Sequence, residues 1–121
     1  MFFWVGENTW AMYLKPLKLS TNEFGLSEKS MSIMYDIFSQ FTQIQKVILY
    51  GSRAMGNFTE GSDIDMTIIA DDFSYHDLLK LNGMFSDSYL PYFVDVSIFS
   101  KLKNPHLIEH IKQYGKVLYE R

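Results

Sequence analysis

The chain has 121 residues, with 11 Lys and Arg against 14 Asp and Glu and a formal net charge of -3; this length suits one domain and buries about two-thirds of the unfolded surface without covalent staples. Hydrophobic residues make up 47% and charged residues 21%, and there is no cysteine, which argues against disorder, excludes disulfides, thiol nucleophiles and thiolate zinc sites, and leaves the cytoplasm as the default compartment. The acidic balance gives no blanket of positive charge, so direct nucleic-acid binding through counterion release is not expected as the main activity.

Residues 1–23 are rich in aromatics but lack the basic n-region and unbroken apolar run of an export signal. They read as an N-terminal extension, a partner-contacting arm or an upstream start, ahead of a domain over 24–121. No stretch approaches the roughly 20 apolar residues of a membrane span. Ser27 is an N-cap candidate with Glu28 in the first turn, and Met34, Ile37, Phe38 and Phe41 follow at helical spacing. Lys46 to Tyr50 is a short β-rich run ending at Gly51, hence a buried strand. Gly51 to Ser62 holds three glycines and two serines, a loop with room for one helical turn. Asp63 to Ala70 returns to alternation, with Asp63, Asp65 and Thr67 on one face.

Ser74-x-x-Asp77 resembles a capping box and opens a helix to Leu81 or beyond. Tyr92 to Phe99 is a further strand after Pro91. Asn104-Pro105 starts the last helix, whose apolar stripe is Leu107, Ile111 and Tyr114, with Gly115 at its C′ position. Lys116 to Tyr119 is the final strand. The fold class is α+β, an α/β sandwich with a small mixed sheet flanked by helices.

The charge is not spread evenly. No Lys or Arg stands between Arg53 and Lys80, yet that stretch holds Glu60, Asp63, Asp65, Asp71, Asp72 and Asp77. Asp71 and Asp72 suit a strand end and a solvated loop, and Asp77 suits a cap. Asp63 and Asp65 need another reason. At i and i+2 of a strand they share a face, about 6.6 Å apart at Cα, and repel each other unless a cation lies between them. Mg²⁺ fits, because it takes carboxylate oxygen together with phosphate oxygen.

Ten residues separate Gly51-Ser52 from Asp63. Gly51 has no Cβ and lets backbone approach a phosphate; Ser52 offers a hydroxyl and an N–H; a helical turn starting there would add free N–H groups. Arg53 is the nearby cation, read either as a phosphate contact or as a salt bridge to Glu60. Asp95 stands among Phe93, Val94, Val96 and Ile98, where an acid is costly without a partner. If its strand pairs beside Asp63–Ala70, Asp95 shares the metal or takes a proton from a nucleophile.

These residues resemble the nucleotidyltransferase superfamily that includes DNA polymerase β, and more closely the minimal nucleotidyltransferase (MNT) family, commonly encoded beside a helical HEPN partner. The resemblance covers Phe24 to Arg121 and rests on Val47-Ile-Leu-Tyr-Gly-Ser-Arg-Ala-Met-Gly56, Gly61-Ser-Asp-Ile-Asp65 and Val94-Asp-Val-Ser-Ile98. It implies transfer of NMP from an NTP, with Mg²⁺ as two ions bridging carboxylates and triphosphate. Carried over by position, Asp63, Asp65 and Asp95 are the catalytic and metal-ligating acids, with Asp95 as third ligand or base. Gly51, Ser52, Arg53 and Ser62 are the nucleotide-binding set. In MNT–HEPN pairs the implied activity is AMP transfer from ATP to a tyrosine of the HEPN toxin, which makes the MNT protein an antitoxin. Met55 departs from the pattern at a position that is often basic.

Two other classes remain beside this one. An interaction protein would neutralise a HEPN partner by binding alone, and an antibiotic nucleotidyltransferase would normally need more chain for its drug site. His106-Leu-Ile-Glu-His110 matches an H-x-x-E-H zinc pattern. It follows Pro105 in a short helix with no third ligand downstream, so these histidines are expected at the surface or facing a partner.

Overall fold

The computed structural model describes residues 21–121; residues 1–20, most of the expected extension, lie outside the described residues. The Asn22 side chain accepts the N–H groups of Phe24 and Leu26 at 2.9 and 3.0 Å, folding a turn that delivers Ser27 to the first helix. That helix, α1 (Glu28–Ser39), starts with the Ser27 hydroxyl accepting the Ser30 N–H. The cap satisfies one of the donors that every helix start leaves orphaned. Its far end is closed from the other end of the chain: the Arg121 guanidinium donates to the carbonyls of Ser39, Phe41 and Ile44.

β1 (Ile44–Tyr50) is the inner strand of a four-stranded mixed sheet of order β3-β2-β1-β4. It pairs antiparallel with β2 (Ile64–Ala70) and with β4 (Lys116–Glu120). β2 pairs in parallel with β3 (Val94–Ile98). Parallel neighbours need a crossover, and α3 (Tyr75–Ser86) supplies it, opened by the Ser74–Asp77 capping box. A single helical turn, α2 (Ser52–Met55), fills part of the loop after β1, and α4 (Pro105–Tyr114) precedes β4.

The strand limits differ from the sequence reading in two places that matter. β2 opens at Ile64, so Asp63 stands just before the strand. β3 opens at Val94, and the Tyr92 ring ahead of it lies against the Arg53 guanidinium, 4.7 Å away.

One face of the sheet carries the core. Met34, Ile37 and Phe38 of α1 and Leu81 and Phe85 of α3 cover Val47, Leu49, Ile64, Met66, Ile68, Val96 and Ile98. Phe38 meets Phe85 edge-on at 5.4 Å between ring centroids, a favoured aromatic geometry.

Alternation along a strand sends the residues between these core positions to the opposite face. There α4 packs on β1, with Ile111 buried. Gly115 keeps that contact close: it adopts an extended backbone rather than a left-handed cap, and a Cβ there would run into the Ile111 carbonyl and Ile48 Cγ2. On this face Asp95 of β3 is exposed, Asp65 of β2 is half-buried and Thr67 of β2 is buried. Among the described residues no helix is long and apolar enough to cross a membrane.

Candidate active site

Strand register assembles the site. Tyr50 of β1 pairs with Asp65 of β2, and Asp65 pairs with Asp95 of β3. Direct partners share a face, so a phenol and two carboxylates stand in one row across three strands, on the face away from the core. Thr67 and Ser97 form the next row, where the Ser97 hydroxyl donates to Thr67 Oγ1 at 3.0 Å and satisfies a buried threonine. Asp63 is exposed at the mouth of β2, and Phe93, 83% exposed, stands two residues before Asp95 on the same face.

The electrostatics follow from this crowding. Burial, then the carboxylates of Asp95 and Asp63, push the Asp65 carboxyl above its ordinary value. Burial and the same Asp95 push the Tyr50 phenol up. Like charges at this spacing are what a divalent cation relieves, and carboxylate oxygens are the hard donors that Mg²⁺ prefers. Among the described residues no three His, Asp or Glu side chains gather closely enough to hold a metal ion alone. A cation on Asp65 and its neighbours would complete its shell with substrate phosphate and water, the habit of Mg²⁺.

Gly51 makes the corner between β1 and α2 at φ 77 and ψ -156, a region essentially restricted to glycine. A Cβ there would sit 2.7 Å from Asp65 Oδ2, so only glycine lets this backbone lie against the carboxylate. Gly51→Ala is therefore expected to cost roughly 1–3 kcal/mol in chemical denaturation, from backbone strain alone, and to displace Asp65. A variant with parental stability and nucleotide affinity would overturn this reading. Ser52 follows as the first residue of α2, half-buried.

The structure turns two of the expected nucleotide contacts to other uses. Arg53 is 1% exposed. Its Nε donates to the Ser62 carbonyl, and its two terminal nitrogens donate to the carbonyls of Phe24, Gly25, Glu60 and Ser62, at 2.9 to 3.4 Å. Phe58 and Tyr92 stack on the guanidinium at 5.2 and 4.7 Å. All five N–H donors of the fork are used, so Arg53 reaches neither a phosphate nor the Glu60 carboxylate. It ties the loop before β2 to the turn before α1. Ser62 belongs to the same loop: its hydroxyl accepts the Thr59 N–H at 2.8 Å and its carbonyl is taken by Arg53.

Sequence reasoning missed two residues at this face. Tyr50 is buried and completes the row; its place directly before Gly51 was a signal, since the strand ends there. His110 reaches the corner from α4, and its Nε2 accepts the Gly51 N–H at 3.2 Å. His106, its partner in the zinc pattern, is exposed.

A profile of the polymerase beta nucleotidyltransferase family matches residues 34–121, which hold β1 to β4 and every carboxylate of the row. The chain belongs to this family. It is a nucleotidyltransferase. The chain is 35% identical over 83 residues to "Putative protein adenylyltransferase MJ0604" of Methanocaldococcus jannaschii, covering 64% of this chain and 80% of that protein. Solved structures with the nucleotidyltransferase fold include a toxin–antitoxin crystallised with AMP-PNP, at 22% identity and a TM-score of 0.62, covering 75% of this chain and 73% of that one. A mutant MntA–HpeT toxin–antitoxin gives 24% identity and a TM-score of 0.60, covering 79% of this chain and 74% of that one.

Proposed function

We propose that this nucleotidyltransferase moves AMP from ATP to a hydroxyl group, the tyrosine of a HEPN-type helical toxin encoded beside it, and acts as its antitoxin in the cytoplasm. The observation that carries the proposal is the Asp65–Asp95 register pair set against Gly51 on the sheet face away from the core. Mg²⁺ held by Asp63, Asp65 and Asp95 would supply charge neutralisation for the triphosphate. Gly51 gives the phosphates room to approach the backbone, and the Ser52 hydroxyl holds one of them. Asp95, on the edge strand and exposed, accepts the proton of the incoming hydroxyl. The acceptor oxygen then bonds to the α-phosphorus, the bond to the bridging oxygen breaks, and pyrophosphate leaves.

The partner claim rests on exposure at the sheet edge. Asp95 lies exposed on the edge strand β3, and the exposed Phe93 two residues before it offers an acceptor an apolar contact. The name of the Methanocaldococcus relative supports a protein acceptor, and the toxin–antitoxin neighbours support a toxin.

The test is incubation with the neighbouring gene product, Mg²⁺ and ATP labelled at the α-phosphate, beside Asp63→Asn/Asp65→Asn. Label is expected on the partner with the parent protein and not with the double variant or with chelator. An unlabelled partner whose toxicity the double variant still suppresses would overturn catalysis in favour of binding alone.

A further inference from the structure

Gly51 is held from both sides. Its carbonyl accepts the N–H groups of Ala54 and Met55 at 3.1 and 3.0 Å and so starts α2. Its own N–H lies one residue past Tyr50↔Asp65, the last pair of the β1–β2 ladder, where a backbone donor must find another acceptor. That acceptor is His110, 59 residues away in sequence. The imidazole is fixed by packing: its ring stands edge-on to Tyr50, with centroids 6.1 Å apart, and tilted on Tyr114 at 5.3 Å. Behind it, Ile111 and Gly115 press α4 onto β1.

We infer that His110 is a positioning residue for nucleotide transfer: it accepts the Gly51 N–H and thereby sets the corner that places Ser52 and the Asp65 carboxylate toward the phosphates. This rests on the site proposed above. It gives the second histidine of the H-x-x-E-H pattern a role that involves no zinc. The bond also makes the approach of α4 to β1, through a contact 59 residues apart in the chain, a determinant of phosphate geometry. A displaced support of this kind typically costs 10- to 100-fold in binding or turnover.

The test compares His110→Phe with His110→Gln. Phenylalanine keeps the ring between Tyr50 and Tyr114 but has no acceptor; glutamine carries an amide oxygen at nearly the reach of Nε2. Three quantities are read on the full chain: melting temperature, Mg·ATP affinity by calorimetry, and exchange protection of the Gly51 amide by NMR. Kinetics with the acceptor are added, separating kcat from KM for ATP.

The expected result is a Phe variant that still folds, with an unprotected Gly51 amide and ATP binding weakened about 10-fold, and a Gln variant that recovers both. Unchanged affinity and amide protection in the Phe variant would overturn the inference, as would equal impairment in Gln and Phe. If the Phe variant does not fold, Gln against Asn decides: equal chemistry with one methylene less reach must separate them. A parent protein that binds ATP but labels no acceptor would count against the proposed reaction, while the amide and affinity readouts still decide the role of His110.

Discussion

Asp65→Asn is expected to lower nucleotidyl transfer by roughly 10³-fold or more while leaving the nucleotide-free protein at least as stable as its parent at neutral pH. Both halves have one cause. The Asp65 carboxyl is raised above its ordinary value by burial first, then by Asp95 and Asp63. A carboxyl raised on folding is a liability when ionised: the cost is fully present above its folded pKa and absent below the unfolded value. Lowering the pH through the raised pKa should therefore relieve the parent, and the Asn variant should lack that gain because it carries no charge there at any pH.

In the proposed reaction a cation and its phosphate ligands would remove this crowding. Melting curves in chelator, from neutral pH into the carboxylate range, check the first half; the labelled-ATP assay checks the second. An Asn variant that melts well below its parent at neutral pH would make Asp65 a structural residue, and one that still transfers would remove it from the metal site.

The largest stability loss is expected at Arg53. Arg53→Met removes a charge whose five donors end on backbone carbonyls, with aromatic rings above and below. No carboxylate pairs with it: the ion pair found among the described residues is Lys46–Glu120. Truncation leaves the carbonyls of Phe24, Glu60 and Ser62 short of donors in a buried place, at about 3 kcal/mol or more. For a domain of this size that is a fall in Tm on the order of 10–20 °C.

Arg53→Lys should recover little, since an ammonium has three donors and cannot stack flat between Phe58 and Tyr92. The same change should weaken nucleotide transfer indirectly, because the Ser62 carbonyl is one residue from Asp63. A Lys variant with parental Tm would show that the carbonyl cage is not what holds this loop.

Arg53 also shows where sequence reasoning stops. Its charge and place beside Gly51-Ser52 suggested either a phosphate contact or a salt bridge to Glu60. The residues that claim it are carbonyls 7 to 29 positions away, and a backbone carbonyl has no signature in sequence. The Ser74-x-x-Asp77 box, in contrast, was legible because donor and acceptor lie within one helical turn. Asp63 and Asp65 were legible as a pair because they stand two residues apart, although β2 takes up only Asp65 and Asp63 stands just before it. Asp95 was legible only as a misplaced charge in an apolar run, and its pairing with Asp65 depended on the register of a parallel neighbour.

Gly115 marks a smaller difference of the same kind. The C′ rule correctly ends the helix there, but the glycine is needed for clearance from Ile48 across the α4–β1 contact rather than for a left-handed turn.

The sequence by itself determined the element order, the α+β class and the Gly-Ser, Asp-x-Asp and Asp95 set proposed to carry the chemistry. Each of these depends on interactions within a few residues: hydrophobic period, caps, turn glycines and i,i+2 alternation. The tertiary structure decided which of the candidates share a face. The β3-β2-β1-β4 order set Tyr50, Asp65 and Asp95 in one row, buried Arg53 in a cage of carbonyls, and brought His110 onto Gly51. Those contacts join residues far apart in the chain, so they are set by packing of whole elements against one core. No local pattern encodes which backbone group a long side chain meets once that core has formed.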